Sequence, residues 1–203
     1  MNSTTPYILT ETAKGIEAVN IDDRLMANRE IFLTTAINAE TSAALIKQLM
    51  HLEMDAPDEE VTLIISSPGG EVVSGLAVYD YLRLMSCPVK TVCIGTAASM
   101  GSILFLAGDK RLMLPHTKIM IHDPSTMGDY AGQKPDEIRQ RLNNLIDVQK
   151  VLCNIIAERS RLSLDEVYAK TKYDTYFTAE EALDNGIATN IIERTKDFRH
   201  EQY

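Results

Sequence analysis

The sequence predicts an α/β protein built around a parallel sheet. One observation is a repeat: three times an apolar strand runs into a turn and then into a helix, with a period of about 30 residues, the length of a β–α unit. The other is that the strands are near-continuous apolar runs, as expected where both faces of a sheet are covered.

The elements follow in order. REIFLTTAI (29–37) leads to a helix over 39–54, and VTLIIS (61–66) leads through SPGG to a helix over 71–85. VKTVCIG (89–95) leads through TAA to a helix over 99–108. Residues 91–108 carry no charge and are about long enough to span a bilayer. They also hold two Thr, two Ser and three Gly with a turn between, so they read as a buried strand and a buried helix. KIMIH (118–122) is a short buried strand. Pro135 opens a long helix to about 162, with Ile138, Leu142, Leu145, Ile146, Leu152, Ile155 and Ile156 at helical spacing. Thr178 and Glu181 form a capping box for a short helix ending near Gly186, and ATNIIE (188–193) reads as a last strand. No linker or low-complexity stretch interrupts residues 1–203, which read as a single domain.

Composition sets limits on function. With 45% hydrophobic and 24% charged residues the chain is a soluble globular protein that needs no metal or disulfide to fold. A net charge of −9 argues against nucleic acid as the main partner. Three cysteines, Cys87, Cys93 and Cys153, show no C-x-x-C and sit among apolar residues, which reads as reduced thiols in a reducing compartment. The N-terminus lacks the pattern of a signal peptide. These features point to a cytoplasmic protein with no membrane association.

The chemistry gathers at the turns. In TAASMGS, Ser99 is a lone hydroxyl among small residues at a strand-to-helix turn, which suits either a nucleophile or a serine that caps a helix beside close-packed backbones. SPGG (67–70) places paired glycines at the preceding unit's turn. There the N–H of Gly70, with that of Met100, would make a two-donor oxyanion hole if the units stack. The spacing of Gly70 and Gly75 mimics a phosphate loop, but Leu76 and Ala77 stand where Lys and Ser/Thr are required. Of four histidines, His51 and His200 read as solvated and His116 lies in a turn. His122 closes an apolar strand, placed either to act as a base or to be a satisfied core histidine. Asp174, in a turn between aromatics, is the candidate carboxylate and reads as half-buried; Asp123 is a rival, but consecutive strand residues face opposite ways. No spacing suits a metal, so none is expected.

Taken in order, SPGGEVVSGLAVYD, CIGTAASMGSILFLAG, LPHTKIMIHDP and DTYFTAEEALDNGI resemble the proteolytic-subunit family of the Clp protease, the ClpP serine peptidases, from about residue 7 to 192. The resemblance implies a ClpP/crotonase-like spiral of repeated β–β–α units, in which the 135–162 helix is a protruding handle and residues 6–15 an axial segment. It implies Ser99 as nucleophile, His122 as general base, Asp174 as the triad carboxylate, and Gly70 and Met100 as oxyanion donors. It implies two stacked heptameric rings, an AAA+ unfoldase hexamer that consumes the ATP, unfolded protein substrates, and no cofactor in the peptidase itself. The sequence departs from the family at Thr62, Ile64 and Leu112, where docking clefts are often aromatic, and at Asp123–Gly128, which replaces Gln-Pro-Leu-Gly-Gly with a segment about two residues longer. Those departures leave open which ATPase docks, which peptide bonds are preferred, and whether the ring is homomeric or shared with a paralogue. Two other readings stand beside the active peptidase: a catalytically silent or partner-dependent ring subunit, and an acyl-CoA enzyme of the crotonase type, which would have no use for Ser99.

Overall fold

The computed structural model describes residues 7–12, 15–126 and 131–194. It opens on an antiparallel hairpin, β1 (Tyr7–Thr12) and β2 (Gly15–Asn20), followed by helix α1 (Ile21–Ala27). The expected axial segment falls on this hairpin; Pro6, Ala13 and Lys14 lie outside the described residues.

A seven-stranded sheet follows. Its strands are β3 (Glu30–Leu33), β4 (Val61–Ser67), β5 (Val89–Ala98), β6 (Lys110–Met113), β7 (Lys118–Ile121), β8 (Thr175–Phe177) and β9 (Asn190–Ile191). β3, β4, β5, β6 and β9 lie side by side and parallel. Its helices are α2 (Ala39–Asp55), α3 (Val72–Leu84), α4 (Met100–Leu106), α5 (Pro135–Glu158), α6 (Leu164–Thr171) and α7 (Ala179–Asp184). The predicted α/β class and parallel sheet are both present.

β5 is the pivot. Its first half, Lys90 to Cys93, pairs with β6; its second half, Thr96 to Ala98, pairs with β7. One strand thereby feeds two neighbours on the same edge, and β7 in turn carries β8 antiparallel. The core explains the apolar strands. Val61, Leu63 and Ile65 of β4 project into the main cluster with the helices, while Ile64 projects the opposite way. There it joins Val92, Leu112 and Ile192 in a second, smaller cluster to which no helix contributes. The expectation that both faces of the sheet are covered is met, with alternate side chains of one apolar run serving two clusters of unequal size. Thr62 and Ile64, expected at a docking cleft, are fully buried, and Leu112 is nearly so.

Several boundaries also move. The long helix stops at Glu158 rather than 162, because Ser163 caps a separate helix, accepting from the Glu166 N–H while the Glu166 carboxylate takes the Ser163 N–H at 2.8 Å. The last strand shortens to Asn190–Ile191. Thr178 and Glu181 form the expected box, with Thr178 N–H donating to Glu181 Oε2 at 2.8 Å.

Candidate active site

Ser99 stands between β5 and α4 with φ 54° and ψ −124°, a left-handed backbone that a serine seldom adopts. It occupies the N-cap position but its side chain makes no cap hydrogen bond, so the hydroxyl is free for other work. The capping reading is thereby set aside. The turn is held by its backbone: Ser99 N–H donates to Met120 O at 2.9 Å, and Ser102 Oγ donates to Ser99 O at 2.6 Å.

The small residues are accounted for by the approach of the SPGG turn. A Cβ on Gly69, where φ is +90°, would lie 2.6 Å from Ala98 O, 2.7 Å from Ser99 Cβ and 2.9 Å from Met100 N. Gly101 is pressed in the same way against Ser67 O. Ser67 fixes the turn from behind, donating to Thr35 O at 2.6 Å and accepting from Gly69 N–H at 3.2 Å. Ser67 was not singled out from the sequence, although it opens the quoted motif. Ile37 bridges the turn on its other side, accepting from Glu71 N–H and donating to Gly69 O. Among the described residues the N–H groups of Gly70 and Met100 donate to no protein acceptor.

His122 directly follows β7, and its Nε2 lies 2.9 Å from Ser99 Oγ. Asp174 directly precedes β8, whose Thr175 pairs with Ile121, so antiparallel register brings Asp174 to the other side of the imidazole. Asp174 Oδ1 is 3.6 Å from His122 Nδ1. Contrary to expectation, Asp174 is not half-buried: its side chain is 62% exposed, and the aromatics beside it, Tyr173 and Tyr176, are exposed too. Asp123 is not brought to the imidazole; its N–H donates to Thr171 O and its Oδ1 is buried without a hydrogen-bond partner. His51 and His116 are exposed and remote in the fold, and His200 lies outside the described residues. Beside the Ser99–His122 pair is a narrow, mainly apolar pocket floored by Val72, Ile103, Leu152 and Ile156.

The three cysteines are buried and free, and burial pushes each thiol up from its ordinary value. Among the described residues no cluster of His, Cys, Asp and Glu is placed to hold a metal ion, and no helix is long and apolar enough to cross a membrane.

A model of the family described as Clp protease matches residues 13–195. The chain belongs to the Clp protease family. A protein of Deinococcus radiodurans described as an ATP-dependent Clp protease proteolytic subunit is 34% identical over 199 residues, covering 97% of this chain and 96% of that relative. The mixed α/β architecture is consistent with the Clp protease fold, and membership makes the chain a serine peptidase, a hydrolase of peptide bonds. The acyl-CoA alternative is not favoured by this match, and neither is a silent subunit.

Proposed function

We propose that the chain hydrolyses peptide bonds of unfolded proteins at Ser99, His122 and Asp174, as the proteolytic subunit of an ATP-dependent Clp protease. The observation that carries this reading is the 2.9 Å approach of His122 Nε2 to Ser99 Oγ at a strained turn whose two neighbouring N–H groups are unspent. With the imidazole proton on Nδ1, facing Asp174, Nε2 accepts the Ser99 proton as Oγ bonds to the substrate carbonyl carbon. The negative charge that develops on the carbonyl oxygen is met by the Gly70 and Met100 N–H groups, each such donor being worth about 10²–10³ in rate. The imidazolium then protonates the leaving amine, the C–N bond breaks, and water, deprotonated by His122, hydrolyses the acyl-serine. Asp174 holds the ring and balances its transient charge. No cofactor takes part in these steps; ATP is consumed by the partner.

The same reading extends to assembly. The Clp protease relative and the family support oligomeric rings served by Clp ATPases. We take these to be two stacked heptameric rings, homomeric or shared with a paralogue, fed by an AAA+ hexamer in the cytoplasm. Helix α5 suits the handle between rings, since Leu142 is 53%, Ile146 38% and Val151 46% exposed along it.

Fluorophosphonate labelling tests the site. Intact mass of the wild-type chain should gain one adduct, and Ser99→Ala should gain none. A folded wild-type protein that takes no adduct, alone or with an ATPase, overturns the assignment.

A further inference from the structure

A second cavity, of about 380 Å³, lies where the end of α5 meets the loop between α7 and β9. Three guanidiniums converge on it. Arg111 donates to Ile187 O at 2.7 Å, Gly186 O at 3.0 Å and Gly108 O at 3.1 Å. Arg159 donates to the same Gly108 oxygen at 2.7 Å and to Leu106 O at 3.0 Å, so the two cations stand side by side. Arg161 donates to Asp184 O at 3.2 Å, and its stem lies across Gly186, where an added Cβ would fall 2.7 Å from Arg161 Cγ.

All of these acceptors are neutral carbonyls. Among the described residues none of the three arginines forms an ion pair, although Glu158 also lines the cavity. Like charges gathered partly out of water repel one another. Burial, with Arg159 beside it, pulls Arg111 down to about 10 against the opposing carboxylate of Asp109, and burial with Arg83 lowers Arg159 too, although Asp109 opposes it there as well. Each guanidinium has five N–H donors, and the bonds above leave some unspent on every one. Planar forks of this kind match the oxygens of phosphate and carboxylate groups.

We propose that this cavity is a binding site for a small oxyanion of the phosphate class, clamped by Arg111, Arg159 and Arg161. It is built on the far end of α4, the helix that begins at Met100, since Arg159 also holds that helix's Leu106 carbonyl.

The test uses the full chain and inorganic phosphate, with ionic strength held constant by chloride. Phosphorus NMR line broadening and calorimetry should show saturable binding of one phosphate per chain. Arg161→Gln, at an exposed position where the fold is not at stake, should weaken it about tenfold, and Arg159→Gln by more. Phosphate stabilises proteins generally by exclusion from their surfaces, so in heat unfolding only the difference between wild type and Arg161→Gln counts. Absence of saturable binding, or binding unchanged in Arg161→Gln, overturns the proposal. So does a wild type that ignores phosphate while Arg161→Gln dissociates the oligomer: the guanidiniums would then serve a carboxylate of a second copy. None of these readouts depends on peptidase activity, so they stand or fall apart from the assignment of Ser99.

Discussion

Gly69→Ala is the most searching perturbation of the site, because it adds one methyl group and removes no functional atom. The backbone there is at φ +90°, and holding a residue with a side chain in such a region costs about 1–3 kcal/mol. The new Cβ would also meet Ala98 O, Ser99 Cβ and Met100 N at 2.6, 2.7 and 2.9 Å. None of these is the loose end of a flexible side chain, so the SPGG turn has to back away from Ser99 by about 0.5–0.8 Å to restore ordinary contact. The turn carries the Gly70 N–H with it. A displacement of this order from productive geometry costs about 10²-fold in rate. Hydrolysis of a fluorogenic peptide should therefore fall about 10²-fold in kcat/KM, and the melting temperature should drop by about 5–10 °C. Gly132→Ala supplies the control: its φ is also positive, at +77°, but a Cβ there meets nothing within 4 Å. It should cost some stability and leave hydrolysis unchanged. A folded Gly69→Ala enzyme within twofold of wild type, or a Gly132→Ala enzyme equally impaired, would refute the reasoning that close backbone approach sets the oxyanion geometry.

Two further outcomes are expected. Asp174→Asn should lower kcat by about 10²–10⁴ while leaving thermal unfolding unmoved, since the side chain is largely exposed; a variant that loses stability but keeps its kcat would show a structural carboxylate instead. Glu60 bridges Lys90 at 3.1 Å and Lys110 at 2.7 Å, with Lys90 only 5% exposed. Burial pushes the Glu60 carboxyl up, but Lys110 and Lys90 outweigh it and hold it below the ordinary 4.5. Its ion pairs therefore stabilise the fold above that pH and are lost as pH falls through the lowered native value. Glu60→Gln should cost about 3 kcal/mol in urea unfolding at neutral pH, because Lys90 is left buried beside a neutral group, and the gap to wild type should close in acid; a gap independent of pH would count against the charge argument.

What was legible in the sequence follows from how local each signal is. The strands ending at Ser67 and Ala98 show as apolar runs because both of their faces are buried, and the Thr178 box shows because capping depends on residues three apart. β6 and β8 are four and three residues long and owe their existence to the strands they join, so no periodicity announces them. The break after Glu158 was hidden by Leu162, which continues the helical spacing although it packs from a loop. Ser99, His122, Gly70 and Met100 were singled out from motif and turn chemistry, and the fold brings Ser99 and His122 together. The positive φ at Ser99 has no signature in the sequence. The exposure of Asp174 escaped as well: flanking aromatics suggested burial, yet Tyr173 and Tyr176 are themselves exposed, at 73% and 54%.

The division of β5 between two partners has a consequence for timing during synthesis. Ser99, His122 and Asp174 stand at the ends of β5, β7 and β8, just outside the ladders that join these strands. The carboxylate arrives on a strand that leaves the ribosome more than fifty residues after the histidine. A nascent chain can therefore complete most of its sheet while the proposed site still lacks its carboxylate. On the proposed assignment, the site is complete only once three residues, Thr175 to Phe177, pair with β7. Acylation of Ser99 would, on that assignment, report the pairing of β8 with β7, an event that can precede the joining of β9 to β6.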